Sequence, residues 1–255
     1  MTDRQIDRRE AAWVHTACGA AVSLLEMQPA DVYMLDIAAA LSKIARYNGH
    51  TTGERGYSVA QHSVLCADLI RVWGGDAHLE REALLHDAGE AYYGDVTWPV
   101  QMALGEIHRE MVAATIEAVR DGWKYAPRDG DDVAHQHDGR QIESAVSGAL
   151  DELALGLTRD PLRELKNRVD TVVRKALKLA EHEPVLVKRA DMVALAIERV
   201  NLMAPCERDW RLVELADPRF VSRRRSRIEM PGTARRRFLH RLASIESRIG
   251  AAARL

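Results

Sequence analysis

The chain has 255 residues, and 47% of them are apolar, so its composition excludes a globally disordered protein and allows a sizeable hydrophobic core. Its formal net charge of −2 favours no polyanionic partner. The charge is unevenly distributed, because eleven arginines and only two glutamates lie between Arg219 and the last residue, which leaves an acidic remainder.

The cysteines and the first residues favour an intracellular setting. Cys18, Cys66 and Cys206 lie far apart and form no CxxC pair, so they predict neither a disulfide framework nor a zinc knuckle. The first ten residues are charged and lack the apolar core of a signal peptide. The apolar run over 11–25 is interrupted by polar residues and is too short to span a bilayer. We therefore expect a cytoplasmic protein with no membrane partner.

The first part of the chain predicts an irregular arm followed by helices. Residues 13–33 mix Gly, Pro and β-branched residues, which favours an arm with a short β-ribbon. Apolar residues at helical spacing predict a helix over 34–47 that ends at an Asn-Gly pair. A capping-box pattern predicts that the next helix begins at Ser58, and a further helix is expected over about 77–92.

The second part of the chain also predicts helices, and the whole sequence contains neither an internal repeat nor an alternating strand pattern. Gly94 and Pro99 are expected to bound a loop, and clusters of Gly, Pro and Asp over 121–139 predict a long surface loop. The predicted fold class is therefore all-α. Its remaining helices are expected over about 103–120, 140–156, 161–182, 184–205 and 232–252.

The most informative stretch is ALLHDAGEAYYGD, which contains His86, Asp87 and Glu90. His62 lies upstream on a helical face that it shares with apolar residues, and Asp191 lies far downstream in another apolar stretch. Such groups are costly to bury without partners, and mixed nitrogen and oxygen ligands suit Mn²⁺, Co²⁺, Fe²⁺ or Zn²⁺ better than Ca²⁺. Satisfied core or surface side chains explain these residues about equally well, so the pattern alone does not decide between the two.

The order His62, His86-Asp87 and Asp191 resembles the H…HD…D signature of the HD-domain metal-dependent phosphohydrolase superfamily. The resemblance is closest to the branch that contains the bacterial 5′-deoxynucleotidases and related phage and bacterial HD hydrolases. It is strongest in four blocks, and ARRRFLHRL at 234–242 is a weaker match. The four blocks are DIAAALSKIARYNGH at 36–50, YSVAQHS at 57–63, LLHDAGEAYYGDVTWPV at 84–100 and VKRADMVALAIERVNLM at 187–203.

The resemblance implies a divalent metal ion (Mn²⁺, Co²⁺, Fe²⁺, Zn²⁺ or Mg²⁺) and roles for seven residues. Glu90 and Asp95 are implied to handle protons or to orient water, and Arg46 is implied to contact the phosphate of the substrate. The implied metal ligands are His62, His86, Asp87 and Asp191.

Three further residues are candidates for substrate binding. Tyr47 occupies the position where the deoxynucleotidases usually have Trp, so their sugar discrimination does not transfer directly. His50 follows shortly after Arg46 and is a candidate for the pocket wall. Lys188 precedes Asp191 by three residues and is a candidate phosphate contact, although a solvated lysine explains it equally well.

We expect a single HD-domain helical bundle with a helical insertion and a basic C-terminal helix. The resemblance covers roughly 34–104 and 185–242, and the chain between Asp95 and Asp191 is longer than a compact deoxynucleotidase needs. The expected parts are a core over about 34–120 and 184–215, an insertion over about 121–165 and a basic helix over about 232–252.

The expected function is metal-dependent hydrolysis of (deoxy)nucleotides, with (deoxy)nucleoside 5′-monophosphates as the favoured substrates. The alternatives are a dNTP triphosphohydrolase that releases triphosphate, an HD nuclease and a nucleotide-binding regulator without turnover. The arginine-rich tail leaves nucleic acid open as a partner. A basic outer helix face or a contact with the acidic part of another subunit explains the tail better, and a homo-oligomer is expected.

Overall fold

A computed structural model of the chain describes the backbone of six segments. Within these segments it also describes every side chain except those of 122–124. The chain divides into two compact units, one formed by Met1–Thr97 with Lys166–Leu255 and the other by Trp98–Leu165. The predicted insertion over 121–165 lies largely outside the described residues, so the single-domain organisation stays a prediction. The described segments are 11–124, 147–150, 160–208, 210, 215–221 and 227–252.

The predicted all-α fold class is confirmed for the part of the chain that the structure describes. Its only sheet there is a two-stranded antiparallel ribbon, β1 (Trp13–His15) and β2 (Ala21–Ser23), as the sequence predicted. No described helix is both long enough and apolar enough to cross a bilayer. The helices are α1 (Met34–Leu41), α2 (Val59–Val72), α3 (Ala77–Leu85), α4 (Glu90–Tyr93), α5 (Trp98–Lys124), α6 (Pro161–Ala176), α7 (Val185–Leu202) and α8 (Pro231–Ala252), and 147–150 are also helical.

Helix α2 begins where the sequence predicted, but its capping box does not form. The Ser58 side chain accepts a hydrogen bond from the backbone N–H of Gln61 at 3.3 Å, which satisfies one free donor of the first turn. The Gln61 side chain instead donates to the carbonyl of Arg227 at 3.0 Å and accepts from the backbone N–H of Glu229 at 3.1 Å. Gln61 therefore ties the segment before α8 to the start of α2.

The prediction of one helix over 34–47 was wrong, because α1 ends at Leu41. Ala45 is extended and forms an isolated antiparallel bridge with Ser58. Tyr47 and Asn48 then take positive φ values of 58° and 51°, which right-handed helix excludes. The long-range bridge overrides the local helical pattern and gives Arg46 a fixed position between α1 and α2.

Three other predicted helix boundaries also shift. The helix expected over 77–92 is interrupted between α3 and α4, and α6 ends at Ala176 because Lys178 takes a left-handed conformation with φ of 53°. Helix α5 begins at Trp98 instead of near 103, and Pro99 lies in its first turn, where a missing N–H costs nothing. The helix expected over 140–156 is described only at 147–150.

The basic C-terminal helix is part of the core of its unit. Helix α8 packs against α1, α2 and α3, and Phe238 and Ile245 are fully buried there. Arg248 donates two hydrogen bonds of 2.7 Å to the buried carboxylate of Glu80, and Arg241 pairs with Asp68. These arginines neutralise acids of their own chain, so part of the basic helix stabilises its own unit.

We predict that Arg248→Ala lowers the free energy of unfolding by about 1–3 kcal/mol, because the buried Glu80 carboxylate loses its bidentate partner. The expected loss of stability is smaller than for a fully buried ion pair, because the Arg248 side chain is 40% exposed. Urea denaturation measures the change. Arg236→Ala, on the same helix but at an exposed position, is the control and should change stability by less than about 0.5 kcal/mol. Equal losses in both variants would contradict the pairing.

Candidate metal centre

The four predicted ligands come together from three separate parts of the chain. His62 lies in the first turns of α2, His86 and Asp87 follow directly after α3, and Asp191 lies in the second turn of α7. The Asp191 Oδ1 atom is 3.1 Å from His62 Nε2 and 4.0 Å from His86 Nε2. The Asp87 Oδ2 atom is 3.5 Å and 3.2 Å from the same two nitrogens. Ligands bound at about 2.1 Å to one ion lie roughly 3–4 Å apart, so these distances fit a shared ion.

Hydrogen bonds fix the direction of both imidazole rings. The Nδ1 atom of His62 lies 2.7 Å from Glu198 Oε1, and the Nδ1 atom of His86 lies 2.8 Å from the carbonyl of Ala83. Because both partners are acceptors, each Nδ1 acts as the donor and each Nε2 faces the cluster. His86 Nε2 is buried and has no hydrogen-bond partner among the described residues. This pattern is typical of histidines that bind a metal through Nε2.

Cys66 also belongs to the cluster, although the sequence analysis did not select it. It is fully buried one helical turn after His62, and its Sγ atom is 3.5 Å from His62 Nε2. Ligand atoms of His62, Cys66, His86 and Asp191 all lie within 4.8 Å of one another, so this group could hold a metal ion. Burial raises the pKa of the Cys66 thiol to about 11. The signal in the sequence was the spacing of four between His62 and Cys66, which a search for CxxC pairs does not detect.

Glu198 is a second residue that the sequence analysis missed. Its buried carboxylate accepts hydrogen bonds from His62 Nδ1, from Arg46 Nε at 3.1 Å and from the Tyr47 hydroxyl at 2.5 Å. It lies two turns after Asp191 on α7, so both acids lie on one side of that helix. An acid in the apolar stretch VALAIERV, seven residues after a candidate ligand, was the available signal.

Burial and neighbouring charges together shift the pKa values of Arg46, Glu198 and His62. Burial is the largest single influence on Arg46 and lowers its pKa, but Glu198, Tyr47, Asp87 and Asp191 together hold that pKa well above its usual value. Burial raises the pKa of Glu198, but Arg46 and His62 together lower it by a larger amount, so the carboxylate stays ionised. Burial and Arg46 lower the pKa of His62, and Cys66, Glu198 and Asp191 raise it more strongly. The surroundings of His62 Nε2 thus favour a cation, which is a proton or a metal ion.

The charges of Asp87, Arg46 and His62 act on both predicted catalytic acids, Glu90 and Asp95. Burial and then the charges of Asp87 and Asp95 raise the pKa of Glu90 well above its usual value. Glu90 Oε2 is buried without a hydrogen-bond partner in the described part of the chain. Burial also raises the pKa of Asp95, and Arg46 lowers it. Glu90 can therefore keep a proton close to Asp87.

The four predicted substrate-binding residues do not behave alike. Arg46 Nη1 is 3.8 Å from Asp87 Oδ2. The centre of the Tyr47 ring is 5.5 Å from Arg46 Cζ and 6.0 Å from the centre of the Trp210 ring. His50 and Lys188 are exposed, and among the described contacts none joins either side chain to the cluster. The structure therefore brings Arg46 and Tyr47 to the cluster and leaves His50 and Lys188 outside it.

A cavity of about 730 Å³ lies near the C-terminal end of α7. Its lining includes Thr52 to Arg55, Val200 to Pro205 and Ile228, but none of the predicted ligands. The candidate site is therefore defined by the converging ligand atoms and not by this cavity.

Comparisons with known proteins give two relatives and no family. No protein-family model matches the chain. An uncharacterized protein of Rhodobacter capsulatus is 42% identical over 102 residues, which are 39% of this chain and 52% of that protein. The uncharacterized protein YfdR of Escherichia coli is 42% identical over 79 residues, which are 31% of this chain and 40% of YfdR. The chain thus spans about half the length of the first relative and less than half the length of YfdR. Its function must therefore be inferred from the site.

We predict that Glu198→Gln lowers the free energy of unfolding of metal-free protein by about 2–4 kcal/mol, because the buried guanidinium of Arg46 loses its charged partner. Chemical denaturation in the presence of a chelator measures this loss separately from any effect of a metal. Glu246→Gln, at a half-exposed glutamate of α8, carries the same chemical change and should remain within about 0.5 kcal/mol of wild type. An unchanged unfolding midpoint for Glu198→Gln would show that the carboxylate does not hold the site together.

Proposed function

We propose that the chain is a metal-dependent phosphohydrolase of the HD-domain type that acts on (deoxy)nucleotides. The favoured reaction is hydrolysis of (deoxy)nucleoside 5′-monophosphates with release of phosphate. The observation that supports it best is the convergence of His62, His86, Asp87 and Asp191, whose imidazole Nε2 atoms both face the acids. A cytoplasmic location and a homo-oligomer remain predictions.

The donor set fits a divalent transition ion. Two imidazoles and two carboxylates suit Mn²⁺, Co²⁺, Fe²⁺ or Zn²⁺, whereas Mg²⁺ prefers oxygen ligands alone. When bound, such an ion lowers the pKa of a coordinated water and neutralises charge on phosphoryl oxygens. His62 and His86 would provide the nitrogens, and Asp87 and Asp191 the carboxylate oxygens.

Arg46 would hold the phosphoryl group of the substrate. Its Nε atom donates to Glu198, which orients the planar guanidinium, and its Nη1 atom lies on the side of Asp87. A guanidinium oriented in this way can donate from its Nη atoms to a phosphoryl oxygen beside the ligands without losing its bond to Glu198. The Tyr47 hydroxyl donates to the same oxygen of Glu198, Oε2, as Arg46 Nε does, so Tyr47 would affect the substrate mainly through Arg46.

Glu90 and Asp95 would handle the protons of the reaction. Burial and the charges of Asp87 and Asp95 raise the pKa of Glu90, which suits it to protonate the leaving nucleoside oxygen. Asp95 is near Asp87 and Arg46 and would orient the attacking water. The charges of Asp87 and Asp95 both act on Glu90, so the two acids are electrostatically linked to the ligand Asp87.

Hydrolysis of dNTPs with release of triphosphate is the second candidate function. Lys166 is a further cation near Asp95, and its Nζ atom lies 5.5 Å from the centre of the Tyr93 ring. A second cation beside the site would suit a longer phosphate chain. The nuclease alternative loses support, because the basic helix α8 directs Arg241 and Arg248 to acids of the same chain.

The first test is an assay of metal-loaded protein with a panel of dNMPs, NMPs and dNTPs. The proposal expects orthophosphate from monophosphates, whereas the second candidate function expects triphosphate from dNTPs. Binding of nucleotides without any product would instead favour a regulator without turnover. Neither binding nor turnover of any nucleotide would overturn the nucleotide assignment.

We predict that Asp87→Asn lowers bound metal and reduces turnover at least 100-fold, which corresponds to about 2.7 kcal/mol in the barrier. A neutral amide is a poor ligand in place of the carboxylate beside both Nε2 atoms. Elemental analysis and kcat/KM at matched protein concentration measure the two effects. Asp121→Asn, an exposed aspartate in α5, is the matched control and should retain metal and activity. Full metal content with normal turnover in Asp87→Asn would show that the centre is wrongly assigned.

A further inference from the structure

The sulfur of Cys66 faces the candidate metal centre. Cys66 lies in the buried cluster of α2 with Leu69, Ile70 and Ala83, where a small apolar residue would be sufficient for packing. Its Sγ atom nevertheless lies 3.5 Å from His62 Nε2, the same nitrogen that faces Asp87 and Asp191. Neither the sequence pattern nor the resemblance assigns this residue a role.

The distance between the sulfur and the imidazole nitrogen fits two ligands of one ion. Zinc binds a thiolate at about 2.3 Å and an imidazole at about 2.0–2.1 Å, which separates the two ligand atoms by roughly 3.3–3.7 Å at near-tetrahedral angles. The ligand atoms of His86 and Asp191 also lie within 4.8 Å of the Cys66 sulfur. The thiol therefore lies within reach of an ion shared by His62, His86 and Asp191, and Asp87 is not part of this group.

The chemistry of a buried thiol favours the same conclusion. Cys66 is fully buried, and a thiolate in that position needs a cation beside it because an unpaired buried charge is costly. Coordination supplies that cation: the S–H bond breaks, the sulfur–metal bond forms, and the proton leaves to solvent.

We propose that Cys66 Sγ is a direct ligand of the metal ion and that the centre therefore selects Zn²⁺, Co²⁺ or Fe²⁺ over Mg²⁺ and Mn²⁺. Thiolate ligands favour these borderline cations, whereas Mg²⁺ and Mn²⁺ prefer carboxylate and water oxygens. The inference rests on the metal centre of the proposed function, but it adds a ligand that hydrolysis of a phosphate ester does not itself require.

The test follows Co²⁺ binding to metal-free full-length protein by absorption spectroscopy. Wild type should show a thiolate-to-cobalt charge-transfer band in the near ultraviolet together with the weaker visible bands of bound Co²⁺. Cys66→Ser should lose the charge-transfer band and keep the visible bands, and its preference for Zn²⁺ over Mn²⁺ in competition should fall at least tenfold. The exposed cysteines supply matched controls, because Cys18→Ser and Cys206→Ser should keep the charge-transfer band.

The outcomes separate this inference from the proposed function. Bound Co²⁺ without a charge-transfer band in wild type, or a band that persists in Cys66→Ser, would mean that the thiol only packs beside the centre. Wild type that binds no Co²⁺ at all would overturn the metal centre and the proposed function together. X-ray absorption at the zinc edge of wild type needs no substitution of a buried residue. It should show a sulfur neighbour at about 2.3 Å, and a shell of nitrogen and oxygen alone would overturn the role of Cys66 even if Cys66→Ser fails to fold.

Discussion

The buried carboxylate of Glu198 is the interaction on which the candidate site depends. It accepts hydrogen bonds from His62, Arg46 and Tyr47, which come from two different parts of the chain. An ionised carboxylate without these donors would be too costly in a fully buried position. Arg46 and His62 therefore keep Glu198 charged, and Glu198 in turn directs His62 Nε2 and the Arg46 guanidinium toward the acids Asp87 and Asp191.

The backbone near Arg46 is shaped to serve this arrangement. The bridge between Ala45 and Ser58 fixes the chain next to the start of α2, and Gly56 allows that approach because a side chain there would contact the Ala45 side chain at 2.6 Å. The positive φ values of Tyr47 and Asn48 cost energy, and the hydrogen bond of Tyr47 to Glu198 helps to maintain them. The strain lies next to the candidate site, as is common where side chains must be held in fixed directions.

Local sequence patterns predicted much of the fold but not its long-range contacts. The Ser58 cap, the β-ribbon and the start of the helix that carries Asp191 follow from short-range chemistry, and all three are found. The end of α1 depends on the bridge between Ala45 and Ser58, which are thirteen positions apart, and helical periodicity contains no information about that bridge. For this reason the boundary near Leu41 could not be predicted from spacing.

The same distinction applies to the candidate site. The order of His62, His86-Asp87 and Asp191 indicated which residues to bring together, and their side chains do lie together. Glu198 and Cys66 were missed because each looks ordinary in its own helix. Cys66 reaches the His62 imidazole from one turn further along α2, whereas the packing of α2 against α7 brings Glu198 to the same ring. His50 and Lys188 were selected by their closeness in sequence to Arg46 and Asp191, and both side chains are exposed, with no described contact to the cluster.

The central claim is that one divalent ion binds between the two imidazoles. Diffraction from crystals of the zinc-loaded protein, recorded on both sides of the zinc absorption edge, tests this claim most directly. We expect a single strong anomalous peak about 2.0–2.2 Å from Nε2 of both His62 and His86, with Asp191 in contact. An anomalous peak only at surface histidines, with His62 Nε2 still facing Asp191 and no ion between them, would contradict the account.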